Sequence, residues 1–171
     1  MSTRIQNPSY YRSGTGILVG GAISGIIAGI VMAMFSMGYP GMTGMGFLAP
    51  LRLIAATLYG VDALIGGSDV LMAGLIIHMM VSAVFGIIFA ALLPRTAGGG
   101  TAFGLGIIYG IIIWGVMGYL VVPIVNPTMS VRIPVMAGAF WFEHVVFGMF
   151  LATTPSLVRS LSRRPPSKTT R

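Results

Sequence analysis

Ionisable side chains are scarce along this chain, and three of them fall inside long apolar stretches: His78, Glu143 and His144. Buried in lipid, such groups are costly and point to function unless they are paired within the protein. Two imidazoles at similar depth on facing helices would suit a six-coordinate iron, so His78 and His144 are candidate ligands of a haem b. Glu143 with His144 forms a candidate proton or ion relay, with Ser82 and Tyr109 nearby, or a contact with a neighbouring subunit. Successive residues on a helix point about 100° apart, which turns Glu143 off the His144 face and towards a loop cation, Arg52 or Arg132. The plain structural alternative is a neutral histidine bonded to a carbonyl or to Ser82 in the bundle interior. Methionines gather at Met32, Met34, Met37, Met42, Met45, Met79 and Met80; thioethers bind Cu(I), but with no cysteine they read as gap-filling packing.

Other chemistries are excluded by what is missing. There is no cysteine, hence no disulfide, thiolate site or thiol nucleophile. The glycines at Gly98 to Gly100 are followed by no phosphate-binding lysine and preceded by no strand, and neither a His-Glu-x-x-His nor a Gly-x-Ser-x-Gly motif occurs. With only 3 acidic residues, enzyme chemistry would rest on Glu143 and the histidines alone. No metal site and no soluble substrate are indicated.

The elements that must position these groups are membrane helices. The chain is 56% hydrophobic and 8% charged, against about 25% charged in a soluble domain. Four windows reach the ~20 apolar residues that cross a bilayer: residues 15–37, 70–93, 101–122 and 134–157. An all-α, four-helix transmembrane bundle follows, flanked by an N-terminal segment, 1–14, and a basic tail, 158–171. Residues 50–64, opening on a proline, predict a short interfacial helix between the first two spans. The segment PIVNPTMSVRIP reads as a proline-marked loop. At ~1.5 Å per residue, His78 and His144 lie roughly 12 and 15 Å from the outer ends of their helices.

The net charge of +7 is distributed by side, which argues against nucleic acid. Arg4, Arg12, Arg95, Arg159, Arg163, Arg164, Lys168 and Arg171 share one side; Arg52 and Arg132 share the other. Basic residues collect on the cytoplasmic face, so both termini are expected there, in a bacterial inner membrane, with the tail near anionic lipid.

Small residues recur every four positions, along one helix face: Gly21, Gly25, Gly29 and Ala33 in the first span, Gly106 and Gly110 in the third. Gly74, His78, Ser82 and Gly86 form a second such ridge, and His144 and Gly148 another. Ridges of this kind let membrane helices approach closely. The spans also repeat: GIIAGIVMAMFSMGYP matches GIIYGIIIWGVMGYLVVP, and setting His78 on His144 aligns the second span with the fourth. A duplicated two-helix hairpin, both copies pointing the same way, is expected.

The segments His78-Met-Met-Val-Ser82-Ala-Val-Phe85, the glycine-rich third span ending at Pro123 and Trp141-Phe-Glu143-His144 resemble the YagU-like group of small bacterial inner-membrane proteins. The loop between the first two spans is shorter and less polar here. That resemblance implies fold and location, and no reaction. Taken together, the residues predict a non-catalytic accessory subunit of a larger membrane complex, such as a respiratory or photosynthetic one, held by lipid and neighbouring subunits. The alternatives are a small oligomeric transporter or channel, and a bis-histidine haem b electron carrier.

Overall fold

A computed structural model describes residues 12–42 and 46–162. Every regular element among them is helical. Helix α1 (Gly14–Met42) is followed by α2 (Ala49–Tyr59), which tightens into a 3-10 turn at Gly60–Ile65. Helix α3 (Ser68–Leu92) returns. Helix α4 (Gly99–Val116) passes through a π turn (Met117–Val121) into α5 (Val122–Val125), then α6 (Pro127–Ser130). Helix α7 (Ile133–Phe150) reaches α8 (Thr154–Ser162) through a 3-10 turn at Leu151–Thr153.

Four stretches, Gly14–Tyr39, Ser68–Leu92, Gly99–Val125 and Ile133–Ser162, are long and apolar enough to cross a membrane. The shortest has 25 residues, about 37 Å of helix, against a hydrocarbon core of about 30 Å. Large apolar side chains cover the outside, among them Ile30, Ile76, Ile108, Ile112 and Phe142. Together these features are the build of a multi-pass membrane protein.

The helices overrun the expected spans, and two prolines explain their irregularities. Pro123 has no N–H and its ring crowds the carbonyl four residues back, at Tyr119. The chain takes that up as the π turn before it. Pro155 does the same to the carbonyl of Leu151, and the 3-10 turn precedes it. The segment expected as a loop, 123–134, is mostly helix. Asn126 breaks the chain direction and caps α6 by accepting from the Met129 N–H at 2.9 Å, with Pro127 at the first helical position, where a missing N–H costs nothing. The tail beyond Ser162, the segment 1–11 and Met45 lie outside the described residues.

Around the bundle the spanning helices run in the order α3, α1, α7, α4. The tightest pairs are α1 with α3 and α4 with α7. Both are antiparallel hairpins made of glycine contacts. A Cβ on Gly25 would meet the Ser82 carbonyl, and one on Gly86 would meet the backbone of Gly21 and Gly25. In the second hairpin a Cβ on Gly106 would meet the Gly148 carbonyl, one on Gly148 the backbone of Gly106, and one on Gly110 the His144 carbonyl. Matching the first span with the third sets Gly25 on Gly106, and matching His78 with His144 sets Ser82 on Gly148, so equivalent residues make equivalent contacts in the two hairpins. Gly74 gives the same close approach to α2, at the Leu51 carbonyl.

The two ends differ. At the end carrying the 93–98 turn, Arg12 donates to the carbonyls of Ala90 and Leu93, at the C-terminus of α3, where a cation also meets the negative end of the helix dipole. Burial, and then the neighbouring Arg95, pull the Arg12 pKa below its ordinary value. Arg159 on α8 donates to the Ala97 carbonyl at 3.1 Å. This basic end is pinned further by Ser24, which accepts from Thr154 at 2.9 Å. The opposite end is capped by α2, α5 and α6. There the Asn126 amide donates to the Leu53 carbonyl at 2.8 Å and to Thr57 Oγ1 at 3.0 Å.

Candidate functional site

Helices α3 and α4 are consecutive in the chain yet close the ring of helices only weakly. In the half nearer the basic end, side chains fill the interval between them. Tyr109 donates to the Phe85 carbonyl at 2.9 Å and stacks against Phe89 at 5.2 Å between ring centres. Phe89, Ile113, Phe147 and Leu151 complete that plug. Towards the capped end nothing of comparable size fills it, and a cavity of about 230 Å3 lies there. Its floor is Phe85, Ile113 and Phe147, and its roof is Pro50, Leu53, Asn126 and Met129.

The cavity gathers the polar groups of the bundle. His78 and Ser82 reach it from α3, Glu143 and His144 from α7, and Ser36 from α1. Helix geometry accounts for the convergence. His78 is the tenth residue after Ser68 and His144 the eleventh after Ile133, which puts both ~15–17 Å from the capped end of their helices. Glu143 borders the same space as His144, since Met136, Phe140, Glu143, His144 and Phe147 line it as one stripe of α7 about 100° wide. It is 5% exposed, and Ser36 hydrogen-bonds its carboxyl group. Among the described residues it has no cationic partner.

Each histidine spends one ring nitrogen on a backbone carbonyl. His78 Nε2 is 2.9 Å from the Gly29 oxygen, and His144 Nδ1 is 2.7 Å from the Phe140 oxygen. A carbonyl oxygen only accepts, so these nitrogens carry the protons. In the neutral ring the other nitrogen, Nδ1 of His78 and Nε2 of His144, is left as an acceptor. Phe140 holds the His144 ring edge-on, with centroids 4.5 Å apart.

The remaining sequence candidates sit elsewhere. Gly21, Gly25, Gly29, Gly74, Gly86, Gly106, Gly110 and Gly148 are at helix contacts. Arg52 is not in the cavity wall; its Nε donates to the Gly66 carbonyl at 3.3 Å. Arg132 does border the cavity, at its capped end, where it donates to the Thr128 carbonyl at 2.8 Å. A haem is not accommodated: the space falls below the ~300–1,000 Å3 of pockets for drug-sized ligands, and His78 turns its Nε2 away to a carbonyl. No cluster of three or more metal-binding side chains occurs among the described residues.

Sequence reasoning passed over Ser36, Asn126 and Thr57. Asn126 had a signal: Asn-Pro followed by a short polar run is a helix start as well as a turn. Ser36 had none, because a serine near the end of an apolar span reads as packing. Comparison with known proteins adds nothing to this geometry: no protein-family profile, curated protein or solved structure matches the chain.

Proposed function

We propose that this chain is a small membrane-embedded binding protein of the transporter or channel class, working through the cavity between its two hairpins. One observation carries the reading: every ionisable or hydroxyl side chain that the spans bring to mid-depth on α3 and α7, His78, Ser82, Glu143 and His144, opens onto one space. Apolar pockets with a few convergent polar groups are where small ligands bind, and inward-facing ionisable residues in membrane helices mark ligand or ion paths. The basic end faces the cytoplasm in this reading, following the positive-inside rule, and the cavity occupies the outer half of a bacterial inner membrane.

Native mass spectrometry of the protein, released from its own membrane in mild detergent, tests this. A bound small molecule is expected in the wild type and absent from Met136→Trp, which fills the cavity. Wild type and variant spectra without any difference in bound mass would contradict the reading.

A second reading, the accessory subunit of a larger complex, has one observation of its own. Gly100 and Gly104, four apart on α4, have nothing within 4 Å of where a Cβ would lie, so a foreign helix could approach there. Stoichiometric partner chains in the same spectra, lost in Gly104→Leu, are what it requires.

A further inference from the structure

The two histidines that border the cavity present it with acceptors. The N–H of His78 is committed to Gly29 and that of His144 to Phe140, and carbonyls cannot give a proton back. The two free ring nitrogens therefore offer lone pairs. Trp114 Nε1 is the one fully buried side-chain nitrogen or oxygen without a partner among the described residues. The free imidazole nitrogens thus keep access to open space, and the space both rings border is the cavity. Glu143, 5% exposed and hydrogen-bonded by the Ser36 hydroxyl, borders the same space.

A site made of two acceptor nitrogens and a carboxyl group, in otherwise apolar walls, selects for what it lacks. A ligand that brings several N–H donors and a positive charge satisfies all three groups at once. An anion or a carbonyl compound would leave them facing lone pair against lone pair. Resting on the binding reading above, we propose that the cavity binds lipophilic primary or secondary ammonium ions, with Glu143 opposite the charge and His78 and His144 accepting from the N–H groups.

The route in is also set by charge. Arg132 stands at the capped end of the cavity, eleven residues and so ~16 Å along α7 from Glu143. It repels a cation approaching from water on that side. The interval between α3 and α4 has no such guard. Val81 on α3 and Val125 on α5 both border the cavity and are 37% and 48% exposed. An amphiphilic amine dissolved in the bilayer enters there, apolar body last, and leaves its tail among Ile77, Val81 and Met117.

Binding of radiolabelled octylammonium to the purified full chain in a non-ionic detergent, read by scintillation proximity, tests this. One saturable site is expected. Hydrogen bonds to charged groups are worth enough that Glu143→Gln should weaken binding at least about tenfold, with Glu143→Asp keeping part of the affinity. Octyltrimethylammonium carries the charge without donors and should compete several-fold less well than octylammonium. Octanol should not compete at matched concentration. Melting curves of each variant separate lost binding from lost folding. Unchanged affinity in a folded Glu143→Gln, or equal competition by the trimethyl analogue, overturns the proposal. Labelled octanol binding saturably to wild type but not to Met136→Trp would leave the cavity as a site and sink only the ammonium assignment. Saturable binding of neither ligand would sink both.

Discussion

A single asparagine shows how much a membrane protein's capped end can depend on one side chain. Asn126 is 2% exposed and uses both its oxygen and its nitrogen: it caps α6 and ties the break to Leu53 and Thr57. Asn126→Ala removes these side-chain bonds, leaving the Met129 amide only its backbone bond to the residue-126 carbonyl at 3.1 Å and untying α6 from α2. The expected cost is about 1–3 kcal/mol, seen as a lower melting temperature in detergent; an unchanged melting temperature would mean that water replaces the amide. Glu143→Gln behaves differently, because a glutamine still meets Ser36 and removes an unpaired acid from an apolar place. It should melt no lower than the wild type while losing ligand. The three ionisable residues stood out in the sequence by their rarity. Their convergence did not, since an adjacent pair such as Glu143 and His144 points ~100° apart and shares a site because the stripe of α7 along the cavity is itself about 100° wide.

Among the helices, the glycine contacts divide into those that hold the hairpins and those that do not. Gly25 and Gly106 are pressed against the opposite backbone, whereas Gly104 and Gly115 have open space beside them. Helix association in lipid depends on packing, since lipid tails are as apolar as the side chains. A leucine at Gly25 or Gly106 must therefore push a hairpin apart, and overpacking of this kind costs about 1–3 kcal/mol or more. Gly104→Leu in the isolated protein should cost nothing measurable. Thermal unfolding of the three variants decides it, and equal destabilisation at all three positions would contradict the contacts. These ridges were legible because a four-residue spacing is a helix face. The π turn before Pro123 and the 3-10 turn before Pro155 were not: hydropathy runs smoothly through both, and the distortion comes from a clash with a carbonyl four residues back.

For the molecule as a whole, the two hairpins make like contacts from like residues, yet the ring they form is asymmetric. Helix α1 packs along α7, while α4 leaves α3, and that difference makes the cavity. Four spans and a bundle were evident from composition and hydropathy. The unequal joining of the hairpins was not, because it depends on the shape of Phe85, Phe89 and Tyr109 filling one half of the interval and on α2 and α6 closing one end. With no native cysteine, topology can be read from single introduced thiols. Ser130→Cys should react with a membrane-impermeant reagent in intact cells, and Gly98→Cys only after the membrane is opened; the reverse pattern would turn the protein over.

The same cysteine-free background permits the most direct test of the central claim, that the space bordered by His78, Glu143 and His144 is an accessible site. Met136→Cys lies in the cavity wall, while Ile112→Cys lies on the outer face of α4, where the native side chain is 56% exposed towards lipid. Their reaction rates with a small water-soluble thiol reagent are compared in membranes. The account predicts that Met136→Cys reacts at least about tenfold faster, since a cavity of about 230 Å3 with His78, Ser82, Glu143 and His144 on its largely apolar wall admits water to those groups and lipid holds almost none. Equal, lipid-like rates at the two positions would mean that the cavity is closed and dry, and would contradict a binding role.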